Sequence, residues 1–205
     1  MGFFDSLFGN QKPTTVEVVG DHIWMTTDAK FAGLAREVAE RSNSQTVAIL
    51  LVAHFPDVLA WLEELASGET GVPVKAVLAS SLSIDIAASL NLNASDTLDL
   101  IVGERHPLPS VDERLEQFAS ELPCRCRLSH HLSLEDPVLS IFAGEWVRSV
   151  LGRLGMKEDE AIESQMVSRR IKLAQQKIEG RASGNSTAES AAQWLEKYCP
   201  ELANR

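Results

Sequence analysis

The chain is poor in basic residues, in cysteine and in long apolar runs, and each shortage removes a class of function. Nineteen Lys and Arg stand against 29 Asp and Glu, a formal net charge of −10 over 205 residues. A surface of that sign does not displace counterions from a phosphate backbone, so nucleic acid is not an expected partner. Anionic membranes are disfavoured in the same way, apart from a local basic spot at Arg169, Arg170 and Lys172. No stretch approaches the roughly 20 apolar residues of a membrane-spanning helix. The N-terminus has neither the basic flank nor the continuous apolar run of a secretory signal. The three cysteines, Cys124, Cys126 and Cys199, read as free thiols in a reducing compartment, so a cytoplasmic location is expected. G-x-S-x-G, H-E-x-x-H and G-x-G-x-x-G patterns are absent, as is the phosphate-cradling G-x-x-x-x-G-K-[ST] loop.

What is present is an ordinary globular composition, 44% apolar, enough for a sizeable core. Residues 1–15 read as a separate tail. Phe3, Phe4, Leu7 and Phe8 form a small apolar cluster closed by Gly9-Asn10 and Pro13. Such a tail either anchors peripherally on a membrane or partner groove, or folds back on its own domain. Met1-Gly2 with Ser6 also fits the loose myristoylation pattern.

From Val16 to Asp136 strand and helix signals alternate. Val16–Met25 reads as a strand or a strand pair broken at Gly20-Asp21. Thr26 or Thr27 caps a helix with Phe31, Leu34, Ala35 and Val38 on its apolar face. Val47–Ala53 is a continuous apolar run, the mark of a strand buried on both faces. Pro56 opens a helix carrying Val58, Leu59, Trp61, Leu62 and Leu65, ended by Gly68. Val74–Ala79 and Leu98–Val102 are further short strands, and residues 80–97 between them show no clear pattern. Ser110 and Glu113 suggest a capping box before Val111, Leu115, Phe118 and Leu122. Arg125–Leu134 returns to strand. This alternation predicts an α/β fold with a parallel sheet covered on both faces.

Beyond Asp136 the pattern is helical. Pro137 begins a helix with Val138, Ile141, Phe142, Val147, Val150 and Leu151 inward, stopped near Gly155. A second is expected from about Glu158 to Glu179, with Ile162, Met166, Val167, Ile171, Ala174 and Ile178 on one stripe. A Gly/Ser-rich break over 180–186 precedes a final helix capped by Ser186 or Thr187 and bearing Ala191, Trp194, Leu195 and Tyr198. Four segments result: 1–15, 16–136, 137–181 and 182–205.

Three groups invite a chemical reading. Cys124-x-Cys126 with His130-His131 offers zinc ligands, but His130 and His131 face opposite ways on a strand, so no metal is expected. His106 sits beside Glu104 and Arg105, where a structural or surface role is expected. His54 ends a buried strand, the place where α/β proteins hold ligands, with Asp57 close by as a potential acid–base partner.

The segment from Leu128 to Arg181 carries Leu132-Ser133-Leu134-Glu135-Asp136, Ile141-Phe142-Ala143, Leu154-Gly155-Met156, Glu160-Ala161-Ile162-Glu163 and Ala174-Gln175-Gln176-Lys177-Ile178-Glu179-Gly180-Arg181. In order and spacing these resemble SecA, the preprotein translocase ATPase, where its second nucleotide-binding domain meets the helical scaffold. Ile23-Trp24-Met25-Thr26, Val47–Val52, Val74–Leu78 and Leu100-Ile101-Val102-Gly103-Glu104-Arg105-His106 resemble earlier strands of the same domain. The resemblance implies a RecA-like (helicase C-terminal-domain-like) sheet followed by the start of the scaffold.

The resemblance also implies nucleotide-facing loops, and here this sequence departs from it. After His106 the family's Gly- and Arg-rich segment is replaced by Pro107–Phe118, with Arg114 its only basic residue and no glycine. The Gly/Arg/Asp-rich loop between the strands at 74–79 and 98–102 is replaced by Asp85–Thr97, with neither Gly nor Arg. A first motor domain, with its phosphate loop and acidic magnesium site, has no room in a chain of this length. The expectation is therefore a non-enzymatic pseudo-domain without cofactor that serves as a protein–protein interaction module linked to translocation. Its partner would be secretion machinery or a second copy, met through Met166, Val167, Arg170 and Ile171, with Phe3, Phe4 and Phe8 of the tail. The alternatives are a small-molecule binder or enzyme at the sheet edge around His54 and His106, or a nucleotide sensor that does not hydrolyse.

Overall fold

The computed structural model describes residues 16–141, 149, 153, 157, 159–163 and 165–203. Phe3, Phe4 and Phe8 lie outside the described residues, as does the helix after Pro137 for most of its length beyond residue 141.

One sheet of five parallel strands organises the chain, in the order β1-β5-β4-β2-β3. The strands are β1 (Val16–Trp24), β2 (Ala48–Ala53), β3 (Val74–Leu78), β4 (Thr97–Val102) and β5 (Arg125–Ser133). Every residue of β2 is buried, as a run apolar on both faces requires. Its side chains alternate between two cores. Ile49, Leu51 and Ala53 join Leu34, Val38, Leu62 and Ile101 under α1 (Thr27–Ser42) and α2 (Pro56–Ala66). Leu50 and Val52 join Leu98, Leu100, Leu115, Ala119 and Leu128 on the opposite face, under α4 (Pro109–Glu121). The result is an α/β sheet of RecA-like type with helices on both faces.

Local signals account for much of this. Thr26 caps α1 by accepting from the Ala29 amide at 3.1 Å. Pro56 stands in the first turn of α2, where its missing N–H costs nothing. Four readings are resolved or corrected. β1 is a single strand, one of its two readings, with one extra residue between Val18 and Asp21. Pro109 starts α4 behind Leu108, so Ser110 is inside the helix and no side chain caps it. The unassigned stretch holds a 3-10 turn at its start (Ala79–Ser81) and the short α3 (Asp85–Ser89). The helix expected last, α6 (Ala191–Tyr198), is capped by Ser190, whose side chain accepts from the Gln193 backbone N–H. Ser186 instead hydrogen-bonds the Tyr198 hydroxyl.

The expected helix from Glu158 is shorter. α5 spans Gln165–Glu179, and Ile162 forms an antiparallel bridge with Ile23 that covers part of the β1 edge. Ile171, Ala174, Gln175 and Ile178 are the buried face of α5. A third core, at the C-terminal end of β1 and β5, gathers Ile23, Leu132, Val138, Leu139, Ile171, Ile178, Trp194, Leu195 and Leu202. The C-terminal helices α5, α6 and α7 (Pro200–Ala203) thus pack on their own sheet. No helix among the described residues is long and apolar enough to cross a membrane.

Trp24 fixes α1 against the sheet. A Cβ added to Gly33 would lie 2.0 Å from the Trp24 ring, so only glycine admits the indole. Arg36 lies over the same indole at 5.3 Å. Gly33→Ala should therefore destabilise the protein by about 2 kcal/mol or more, even though alanine is the better helix former by about 1 kcal/mol. Urea denaturation measures this, and a stabilised variant would show that the indole is free to move aside.

Candidate functional site

Topology places the site before any side chain is considered. From β2 the chain leaves for β3 at one edge, whereas from β4 it leaves for β5 on the other side. The carboxyl ends of β2 and β4 therefore flank the point where the winding reverses, the usual ligand crevice of an open α/β sheet. His54 and Phe55 follow β2, and Gly103-Glu104-Arg105-His106 follow β4.

Glu104 joins the two ends. One carboxyl oxygen accepts from the amides of both His54 and Phe55 at 3.0 Å, at the N-terminus of α2. Burial outweighs these bonds and nearby Lys30, and pushes the Glu104 carboxyl up to about 8.

Asp112, on the first turn of α4, is the hub. Its carboxylate meets Arg105 at 3.3 Å, the Gln175 amide at 2.7 Å and the backbone N–H of His106 at 3.2 Å. The His54 Nε2 lies 2.9 Å from it, although neither ring nitrogen of His54 makes a directed hydrogen bond. Burial alone would raise this carboxyl, but His54 and Arg105 hold it well below the usual carboxylate range. Arg105 also binds Asp21 at 2.6 Å, tying the loop after β4 to the bulge in β1. Gln175 reaches in from α5 and donates to the His106 carbonyl at 2.7 Å as well.

The His106 ring packs among others, stacked on Phe55 at 5.2 Å and edge-on to Trp194 at 5.5 Å. Its Nδ1 accepts from the Leu108 amide at 3.0 Å. Burial holds this imidazole down at about 3, so it stays neutral near pH 7. The structural role expected for His106 holds, and it is a buried one. His54 pairs with Asp112 rather than with Asp57, which instead bonds the Val58 amide. His54 and His106 both line a cavity of about 760 Å³ at this end of the sheet.

Glu135 and Asp136 serve the neighbouring corner. Glu135 accepts from the Thr27 amide at 2.8 Å, and Asp136 pairs with buried Lys30 at 2.8 Å. Both thus attach the turn after β5 to the start of α1.

The cysteine–histidine group separates as strand alternation demands. Cys124 and Cys126 are buried in the core under α4, with sulfurs 4.0 Å apart. His130 is wholly buried on the Asp112 side, and burial holds it well below its ordinary value. His131 faces α1, where its Nε2 lies 2.6 Å from Glu37 with His22 beside it. Those three residues are a potential metal cluster, with donor atoms within 4.8 Å of one another. Proton logic opposes a metal there. The Trp24 indole N–H donates to His131 Nδ1 at 3.2 Å, so the ring proton sits on Nε2 and is given to Glu37. A metal on Nε2 would require that proton to leave. Burial works to raise the Glu37 carboxyl, but His131, His22 and Arg41 together hold it at about 2.

Of the expected partner-facing residues, Met166 and Arg170 are exposed, Val167 is half-buried against the third core and Ile171 is buried within it. Leu173 does not belong to the apolar stripe of the sequence, yet it is exposed on the same outward face as Met166, one i to i+7 step along α5. Asp112 gives no signal in the sequence either, and Gln175 enters only as a member of the Ala174–Arg181 motif, with no role assigned. Each reads as an ordinary polar helix residue, and only the fold brings them together.

No family model matches the chain. Curated proteins similar to it include the protein translocase subunit SecA of Paraburkholderia phytofirmans, 43% identical over 90 residues, which is 44% of this chain and 10% of that protein. SecA 1 of Rhodopirellula baltica is 36% identical over 135 residues, covering 62% of this chain and 11% of that protein. SecA of Bordetella petrii is 40% identical over 94 residues, 46% of this chain and 10% of that protein. Over about half its length the chain is SecA-like, and it spans about a tenth of the length of these relatives.

The Glu104 environment makes stability pH-dependent. Its folded value of about 8 lies above the ordinary 4.5, so the folded state keeps a proton that the unfolded chain releases. That contribution is complete below pH 4.5 and is lost as pH rises towards 8. Glu104→Gln keeps a neutral acceptor for both amides. Its stability relative to wild type should rise across that interval by up to about 1.4 kcal/mol per pH unit. Chemical denaturation at pH 5, 6.5 and 8 checks this, and a pH-independent difference would refute the shift.

Proposed function

We propose that this chain is a protein–protein interaction module linked to protein translocation, working without ATP hydrolysis. The SecA-like half of the chain supports the link to translocation. The observation that carries the non-catalytic part is the state of Arg105. In the Glu-Arg-His tripeptide that resembles a motor-domain strand end, this arginine is neutralised by two buried carboxylates, Asp21 and Asp112. A cation held that way has no charge to offer a transferring phosphoryl group. Its neighbours are committed too, Glu104 to the α2 amides and His106 to Leu108 and Gln175. The loops that would supply glycine and further arginine carry neither, apart from Arg114.

The docking face we assign is the outward side of α5, with Met166, Arg170 and Leu173 at i, i+4 and i+7. Two exposed apolar side chains beside a guanidinium suit a partner helix or groove with an acidic rim. The buried side of the same helix, with Ile171, Ala174 and Ile178, packs on its own domain.

Two measurements test this. Isothermal titration of the protein with Mg-ATP should give no binding, and saturable binding with turnover would sink the non-catalytic reading. Affinity capture from native lysate should retain a translocase component in the wild type and lose it in Met166→Asp with Leu173→Asp, with the thermal transition unchanged because both residues are exposed. Equal recovery by both proteins would remove α5 from the interface.

A further inference from the structure

We infer that the cavity at the carboxyl ends of β2 and β4 binds an apolar monocarboxylate, a ligand of fatty-acid or aryl-acid class, with Arg114 as its counter-ion. The cavity measures about 760 Å³, within the range of pockets that enclose small organic ligands. Leu78 and Leu82 line it from the end of β3 and the turn that follows, Leu115 and Phe118 from α4. Walls of that kind hold the hydrocarbon part of a ligand by excluding water from both. The wall also includes the segment from Asn185 to Glu189, so the site uses the C-terminal extension as well as the sheet. That segment is tied to the start of α2, where the Asp57 amide donates to the Glu189 carbonyl at 3.1 Å.

Arg114 supplies the charge. It is exposed on α4, directly before Leu115, and is the only Lys or Arg among the described residues of the wall. Among the described residues it meets no carboxylate, in contrast to Arg105, which Asp21 and Asp112 neutralise. The His106 imidazole is held low chiefly by burial, and the Arg114 charge adds to the effect. This cation therefore acts at close range on another residue of the same wall. A guanidinium forks onto a carboxylate through two parallel hydrogen bonds, and apolar walls beside such a pair weaken the competition from water. The rest of the wall limits the ligand to one charge. Glu189 is its only acid among the described residues, does not pair with Arg114, and would repel a second anionic group. A phosphate ester fits worse, because the wall offers neither a second cation nor a glycine-lined cradle of amides.

The test uses the purified full chain, the fluorescent probe dansylaminoundecanoate, and the methyl ester of that probe as its uncharged control. Wild type should bind the acid saturably and about fivefold more tightly than the ester, the scale of an ion pair open to solvent. Arg114→Gln should abolish that preference and leave the affinity for the ester unchanged. Ser80→Trp, at an exposed position on the wall, should weaken both. Neither substitution should move the thermal transition, because both side chains are exposed. Decanoate and 2-naphthoate then compete for the bound probe, and displacement by the first assigns a fatty acid, by the second an aryl acid. The proposal is overturned by absence of saturable binding, by an ester bound as tightly as the acid, or by a preference that persists in Arg114→Gln. Undiminished binding to Ser80→Trp, displacement by neither carboxylate, or displacement by inorganic phosphate as effective as by the carboxylates would overturn it equally.

Discussion

One buried carboxylate, Asp112, is the interaction on which the arrangement of this chain depends. Moving a carboxylate out of water costs several kcal/mol unless charge and hydrogen bonds replace the lost hydration. Asp112 is 3% exposed and meets the penalty by gathering donors from separate parts of the chain. Arg105 and the His106 N–H come from the loop after β4 and Gln175 from α5, while His54 at the end of β2 lies against the carboxylate without a directed hydrogen bond. Arg105 in turn needs Asp21, which brings in the bulge of β1. Each member is present because another would otherwise be uncompensated. Hydrophobic clusters decide that the layers pack, and this network decides in which register they do so.

The network also accounts for how the C-terminal helices are held. Apolar residues of α5 alone would tolerate some sliding along the third core, since such contacts are not directional. Gln175 removes that freedom, because its amide must reach both the His106 carbonyl and Asp112 at 2.7 Å. Once α5 is fixed on its inner side, its outer side is fixed as well, and Met166, Arg170 and Leu173 are presented in one orientation. Preorganisation of that kind would lower the entropy lost on docking of the partner proposed for this face.

How much of the fold is legible in the sequence follows from the range of the forces involved. β2 is plain because an apolar run at consecutive positions, this short and bounded by turn residues, is best buried as a central strand. α2 is plain because Pro56 marks its first turn. The resemblance through Ile23–Thr26, Val47–Val52, Val74–Leu78, Leu100–His106 and Leu132–Asp136 carries the fold type. Expectation and structure part where a local rule competes with a distant partner. Ser110 and Glu113 have the spacing of a capping box, yet Pro109 begins α4 and Asp112 turns inward to Arg105 and Gln175. Ile162 and Met166 have helical spacing, yet Ile162 bonds to the β1 edge. Asp57 is the nearest acid to His54 in sequence, yet the sheet brings Asp112 to it. None of these partners leaves a periodic trace, so sequence patterning has nothing to detect.

A motor domain needs its arginine free to meet a nucleotide as a cleft closes, and a fixed scaffold needs every buried charge satisfied in one state. These demands conflict at Arg105. Held by Asp21 and Asp112 at 2.6 and 3.3 Å, it can leave only by abandoning two buried carboxylates, a loss of a size that ends folding stability rather than one that gates a cycle. The same commitment leaves the switch-point crevice beside it with a fixed lining. His54 is oriented by Asp112, and His106 by Leu108 and the rings around it. A crevice whose groups are held in one arrangement is suited to recognition and poorly suited to mechanical work. On the reading proposed above, charge pairing inside the domain, ahead of the absence of any single loop, is the physical ground for a module that does not hydrolyse ATP.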